Sequence, residues 1–389
     1  MTFLTRPYLL NNPIQNYAWG EKGSSAFIAR LLGLQNIASD TPLAELWMGT
    51  HALGPSSLEY EGNSILLSEL VARYPAQVLG GRVAVAFANQ FPFLFKVLSA
   101  GEPLSIQLHP SKEQAEWLHR QDPAHYPDDN HKPEIAIALE SLDALAGVRD
   151  AAEIEAMLEA FPALKAFVGP SSAPSSALAA FLALMRRAVE APQELARAID
   201  EVAGQVRQKG APSYQEKLFL ELIERYPGDV GLLSIFFLKL HRLEKGQAMF
   251  IPAGVPHAYL KGDIVECMAS SDNVIRAGLT PKFKDIPALI EVANDQAPVI
   301  YSAVGPAYAY AAPVREFRVS RYELQTGQAL RERNDGVRLL LVLRGGLGLK
   351  WQDGTLAITR GQCVLLPGSL SEVGIECQEG AEYYVVGVP

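Results

Sequence analysis

From residue 146 to 240 the chain repeats apolar residues at helical spacing, with β-like texture on both sides. In AAEIEAMLEAF, ALAAFLALMRRAVEA, ELARAIDEVAGQV and YQEKLFLELIERY the apolar positions recur every three or four residues, as one face of a helix requires. Before this block, FPFLFKVLSA and PEIAIAL are short apolar runs bounded by turn residues. After it, β texture continues to Pro389 through Gly-rich turns such as RGGLG at 344–348. A β core interrupted in this way has to be completed by strands that follow the insertion. The expected division is a β domain from 1–145 and 241–310, a helical insertion at 146–240, and a second β domain at 311–389. GPSSAPSSA (169–177) reads as a loop between two of the helices. The length of 389 residues agrees, since one hydrophobic core stops growing at roughly 250–300 residues.

The two β regions echo each other. HRLEKGQAMFIPAG (241–254) and LAITRGQCVLLPGS (356–369) both read as strand, Gly-Gln turn, apolar strand, then Pro with Gly close by. Gly246 and Gly361 are equivalent and 115 residues apart. A repeated β unit at that separation suits two related barrels or sandwiches. The second copy lacks a histidine after its Pro-Gly, so only the first is expected to carry chemistry.

LSIQLHP (104–110) narrows that chemistry. Strand alternation puts Ser105, Gln107 and His109 on one face and Leu104, Ile106 and Leu108 on the other. Burying an amide beside an imidazole is costly unless both find partners. In GQAMFIPAGVPHAY (246–259) the spacing Gly246, Pro252, Gly254, His257 resembles the second motif of the cupin superfamily of jelly-roll barrels, whose Pro-Gly turn presents a histidine to a metal. Glu134 opens PEIAIAL, and Pro133 suits a strand start, where no ladder donor is needed. Gln107, His109, Glu134 and His257 together offer two imidazoles, a carboxylate and an amide oxygen. That set suits zinc or another divalent ion.

The composition excludes several classes. A formal net charge of −9 speaks against general nucleic-acid or anionic-membrane binding, which needs a basic surface. Cys267, Cys363 and Cys377 are scattered and odd in number, with no C-x-x-C, so neither a disulfide framework nor a thiolate zinc site is expected. No secretory leader or membrane-spanning run is evident; VGLLSIFFLKL ends in Lys239. A cytosolic protein, acting as a monomer on a small molecule, is expected.

Longer stretches sharpen this. SIQLHPSKEQAE, DDNHKPEIAIAL and IPAGVPHAYLKGDIVECMASSDNVIRAGLTPK resemble the type I mannose-6-phosphate isomerases, as do QNYAWG (15–20) and FLFKVLSA (93–100). The resemblance implies a mainly β fold of cupin-type jelly-roll barrels, one catalytic and one degenerate, with an inserted α domain. It implies one zinc per chain on Gln107, His109, Glu134 and His257, and an essential arginine at Arg276. The implied activity interconverts mannose 6-phosphate and fructose 6-phosphate through an enediol, in mannose catabolism or GDP-mannose supply.

Proton transfer between C1 and C2 needs a base. Lys132 shares an alternation face with Glu134 and is the expected base; Glu266 and His131 are rivals, and Asp272 could assist ring opening. For the phosphate, Lys96, Ser105 and Lys282 are candidates. Lys96 is the polar residue inside FLFKVL and faces opposite to Phe93, Phe95 and Val97. Trp19 and Tyr259 could stack on the sugar. His51, His119, His125 and His241 match no ligand pattern and read as surface or packing residues. Rival functions are a metal-dependent cupin oxygenase, a non-enzymatic sugar-binding cupin, and an isomerase for a different phosphosugar.

Overall fold

The computed structural model describes residues 3–169 and 176–389, so most of the GPSSAPSSA loop lies outside the described residues. The architecture is mainly β, with two large antiparallel sheets of ten strands each among the described residues. In the first sheet the order runs Val299–Ser302, Gln247–Ile251, Glu134–Val148, His257–Ala269, Phe93–Ala100, Glu45–Met48, Ile14–Gln15. Leu238–Glu244 pairs with Glu134–Val148, while Ile106–Leu108 bridges His257–Ala269 and Ile275–Gly278.

Alternation divides this sheet into a core face and a working face. Phe93, Phe95, Val97, Ile135, Ile137, Phe250 and Val265 are buried against Leu339, Leu341, Leu365 and Tyr384 of the second sheet. Full burial of each such side chain is worth about 1.5–3 kcal/mol, so this face dictates the strand register. The residues between them, Lys96, Glu134 and Glu266, therefore point the other way.

Five longer helices, Ala151–Ala160, Pro162–Val168, Ala177–Glu190, Pro192–Arg207 and Tyr214–Leu222, and the single turn Gly231–Ser234 make up the helical block. Pro192–Arg207 buries Leu195, Ala198, Ile199, Val202, Ala203 and Val206, the stripe expected of a helix with one face on a core. Asp150 and Ser213 start helices as N-caps, each answered by a glutamate three residues on. The block is not a detached unit. Its core cluster includes Ile106, Leu108, Leu260 and Ile275, so the helices pack on the backs of the strands that carry Gln107 and Arg276.

The internal echo is a structural repeat. Glu134–Val148 pairs with Leu238–Glu244, Gln247–Ile251 and His257–Ala269. In the second sheet Arg338–Trp351 pairs in the same way with Gly354–Thr359, Cys363–Leu366 and Glu372–Gly387. Gly246 and Gly361 take the same left-handed conformation, φ +80° and +83°. In both turns the next residue, a glutamine, accepts an N–H from two residues before the glycine: Gln247 from Glu244 at 2.8 Å, Gln362 from Thr359 at 2.7 Å. A third such turn, unnoticed in the sequence, occurs at Gly327-Gln328, where Gln328 accepts from Gln325 at 2.7 Å. Where the first copy opens its long strand with His257, the second opens it with Glu372.

One boundary differs from expectation. Tyr8–Asn11, Ser57–Tyr60 and Asn63–Leu66 do not join the first sheet; Tyr8–Asn11 pairs with Cys363–Leu366 and the other two extend from it. The apolar spacing of YLLN marks a strand but carries no information about its partner. The three cysteines are buried and free. Among the described residues no helix is long and apolar enough to cross a membrane.

An added Cβ at Gly246 would make only an ordinary contact, with Ala303 Cβ at 3.7 Å, so Gly246→Ala isolates backbone strain. We expect a loss of about 1–2 kcal/mol and a lower midpoint in thermal denaturation, the cost of left-handed backbone for an L side chain.

Candidate active site

The working face of the first sheet, the strand Ile106–Leu108 and the edge of the helical block enclose a cavity of about 930 Å³. Ile106 and Leu108 are held in the helical core, which turns Gln107 into the cavity. Cross-strand register places Gln107 opposite both His257 and Arg276. His109 follows the strand, and its Nδ1 lies 2.9 Å from the Asn273 carbonyl; His257 Nδ1 lies 2.9 Å from that of Val255. A carbonyl only accepts, so each Nδ1 carries the proton and each Nε2 presents a bare lone pair.

Both Nε2 atoms face Glu134. His257 Nε2 is 2.9 Å from Oε1 and His109 Nε2 is 3.3 Å from Oε2, all buried. Burial and the Lys132 ammonium lower the His109 pKa to about 4, so its ring is neutral at pH 7. A carboxylate facing two lone pairs is mutual repulsion unless a cation lies between them. The ligand atoms of His109, Glu134 and His257 lie within 4.8 Å of one another, which fits one divalent ion. Tyr259, buried, donates to Glu134 Oε1 at 3.2 Å. Burial, Glu134 and Glu266 push its pKa well up, so it remains a donor. Its role here is to orient the carboxylate.

The loop around Asn273 is itself anchored. Asn273 donates to the carbonyls of Asp128 and Asn130 at 2.7 and 2.9 Å, and the Asp272 N–H donates to Asp128 at 2.8 Å. Asp272 accepts from His51 at 3.0 Å, and both line the cavity. That hydrogen bond outweighs burial and lowers the Asp272 pKa.

A second charged group faces the first across the cavity. Lys96 Nζ lies 2.7 Å from Glu266 and 3.6 Å from Glu45; Trp47 Nε1 donates to Glu45 at 2.5 Å. Lys96 and Glu266 are register partners on neighbouring strands, and Trp47 pairs with Lys96 on the other side. Burial would discharge Lys96, but Glu266 and Glu45 outweigh it and raise its pKa. Burial raises the Glu266 pKa, with Lys96 pulling it back.

Of the residues singled out from sequence, the cavity gathers Gln107, Glu134, Lys96, Lys132, Glu266, Asp272, Arg276, Ser105, Lys282, Trp19 and Tyr259. His109 and His257 meet Glu134 from beneath. Lys132 precedes its strand rather than sharing it, with Nζ 3.9 Å from Glu134. His131 is absent from the lining: its ring pairs with Glu316 at 3.0 Å, so it faces the segment leading into the second sheet. His51, read as a packing residue, lines the cavity beside Trp47 at 4.7 Å between rings. Its signal lay in the alternation of Glu45, Trp47 and the following turn in ELWMGTH, which resembled an ordinary amphipathic strand. His119 and His241 bond backbone carbonyls, and His125 pairs with Asp122.

Comparison with known proteins agrees with this geometry. Residues 8–151 match the family model for the phosphomannose isomerase type I catalytic domain. Mannose-6-phosphate isomerase of Homo sapiens is 44% identical over 310 residues, covering 74% of this chain and 73% of the human protein. The Mus musculus enzyme is 40% identical over 372 residues, covering 87% and 88%. A crystallised mutant of phosphomannose isomerase from Salmonella typhimurium superposes with TM-score 0.86 at 30% identity, covering 98% of this chain and 99% of that one. A mannose 6-phosphate isomerase crystallised with zinc and yttrium superposes with TM-score 0.84 at 29% identity, covering 98% and 99%. With relatives this similar over most of both chains, the chain belongs to the type I phosphomannose isomerase family.

Proposed function

We propose that this chain interconverts mannose 6-phosphate and fructose 6-phosphate through an enediol, with one zinc ion held by Gln107, His109, Glu134 and His257. The observation that carries the reading is the buried Glu134 carboxylate facing two bare imidazole lone pairs at the floor of a cavity lined by cations. A crystallised relative contains zinc, and the mixed nitrogen and oxygen donors suit that ion. When bound, such an ion polarises sugar oxygens and offsets the negative charge that develops on them.

The chain's own residues supply the rest. Lys132, beside Glu134, acts from its uncharged amine form, taking the C2 proton and returning it at C1. Glu266, ionised by Lys96 yet raised by burial, is suited to moving the hydroxyl proton between the two oxygens. Arg276 lies next to Gln107 in register and has no carboxylate partner among the described residues, so its charge is free for the developing enediolate. Asp272, held by His51, assists ring opening. Ser105 and Lys282 take the phosphate, with Arg276 between them and the reacting carbons. Lys96 is less suited to that role, because two carboxylates already balance its charge. Trp19 and the aliphatic wall take the sugar face. The active unit in this reading is a monomer in the cytoplasm, a compartment that the free buried cysteines suit.

The direct test is conversion of fructose 6-phosphate to mannose 6-phosphate before and after chelation, with zinc added back. We expect activity to vanish on thorough metal removal and to return with zinc; no turnover by the metal-replete protein would sink the function. His257→Ala and His109→Ala should lower bound metal from one ion per chain to about a tenth or less by elemental analysis, since each removes one of few ligands. Lys132→Met should retain the metal and lose exchange of the C2 hydrogen with deuterated solvent. If Lys132→Met exchanges normally and Glu266→Gln does not, Glu266 is the carbon base instead.

A further inference from the structure

The helical block contributes one wall of the cavity through residues 225–229, and one of these residues is bonded in an unusual way. Asp229 is buried, yet it does not face the sugar site as a free charge. Its Oδ1 accepts the N–H of Gly231 at 2.7 Å and the N–H of Leu279 at 2.8 Å, while Oδ2 accepts from Lys284 Nζ at 2.9 Å. Lys284 also donates to the Thr280 carbonyl at 3.1 Å. One carboxylate thus ties the helical block to both ends of the segment 279–284, which carries Lys282.

Two further features show that this junction is built to a tight tolerance. Gly231 and Gly278 press together backbone to backbone: a Cβ on Gly278 would lie 2.3 Å from the Gly231 Cα. Leu279, buried and non-glycine, is held at φ +53°, a conformation that L side chains adopt at a cost. Strain of this kind persists only where its surroundings over-determine it, and the bond from the Leu279 N–H to Asp229 is one such determinant. Lys282 follows three residues later with its N–H donated to Thr280 Oγ1 at 3.1 Å and no carboxylate partner among the described residues.

We propose that Asp229 is the positioning residue of this enzyme's phosphate end. By fixing the backbone of 279–284 against the helical block, it holds Lys282 where the phosphate of the sugar arrives. The inference rests on the reading that Lys282 meets that phosphate. The helical insertion then acts in substrate affinity without touching the reacting carbons. Asp229 itself gives no charge to the site, because its own is taken up by two N–H groups and Lys284.

The test compares Asp229→Ala, Asp229→Asn and Lys282→Met by steady-state kinetics, with inorganic phosphate as a competitive probe and metal content measured throughout. Asp229→Ala should raise the KM for mannose 6-phosphate and the Ki of phosphate together by about tenfold, the scale of one or two lost charge-assisted hydrogen bonds, with kcat within about threefold. Asp229→Asn retains an acceptor at Oδ1 and should recover most of that loss. If Asp229→Ala does not fold, Asp229→Ser carries the same test, because its shorter side chain cannot serve both N–H groups and Lys284 at once; about a threefold rise is then expected. The proposal is overturned if KM and Ki stay at wild-type values in the alanine or serine variant, if kcat alone falls, or if asparagine rescues nothing. If Lys282→Met leaves both constants unchanged, the phosphate reading fails and takes this inference with it. If Lys282→Met weakens both and Asp229→Ala weakens neither, only the positioning role fails.

Discussion

The arrangement on which the rest depends is a single buried carboxylate held between two imidazoles whose protons point away from it. Glu134 sits at the start of a long strand, and the Nδ1–H groups of His109 and His257 are committed to the backbone carbonyls of Asn273 and Val255. Two ordinary peptide carbonyls thereby decide the tautomers and leave electron pairs converging on a carboxylate. Such a cluster is unfavourable as bare protein and favourable around a divalent cation. The scaffold must therefore be rigid enough to hold it: a sheet packed on a second sheet behind, and a helical core clamping the neighbouring strands.

That rigidity comes from a clean separation of faces. Phe93, Phe95 and Val97 are committed to the core between the sheets, so Lys96 has no choice of direction. The same holds for Gln107 between Ile106 and Leu108, whose partners are helices rather than strands. Charged residues accumulate on the working face in compensated groups. Lys96 is matched by Glu266 and Glu45, and Lys132 lies beside Glu134, which leaves Arg276 and Lys282 as the cavity cations without carboxylate partners among the described residues. In the proposed reading those two receive the anionic substrate, although the protein as a whole is acidic.

Much of this was legible in the residues. Period-2 alternation around Gln107 and His109, and the Pro-Gly turn before His257, are local patterns, and the metal cluster follows from them. The repeat around Gly246 and Gly361 was legible because a left-handed turn restricts residue choice strongly. Three things were not. Glu45 and Trp47 sit on a strand, and His51 in the turn after it, whose sequence pattern is that of any half-buried strand; only pairing with Lys96 gives them meaning. His131 neighbours Lys132 in sequence but turns toward Glu316, because the chain there is a loop and alternation does not apply. The partnership of Tyr8–Asn11 with Cys363–Leu366 depends on which edges remain open after everything else has folded, and no local signal records that.

This last pairing bears on how the chain assembles. Tyr8 lies opposite Leu365 and Leu10 opposite Cys363, so one of the first strands made finds the second of its two partners only when nearly the whole chain exists. Until then one of its backbone edges stays open, and strands that wait for distant partners are slow to close and prone to pair wrongly. The sheet without the candidate metal cluster thus ties the beginning of the chain to its later part. Its contribution is temporal as well as structural: it makes completion of the fold wait for the late strands.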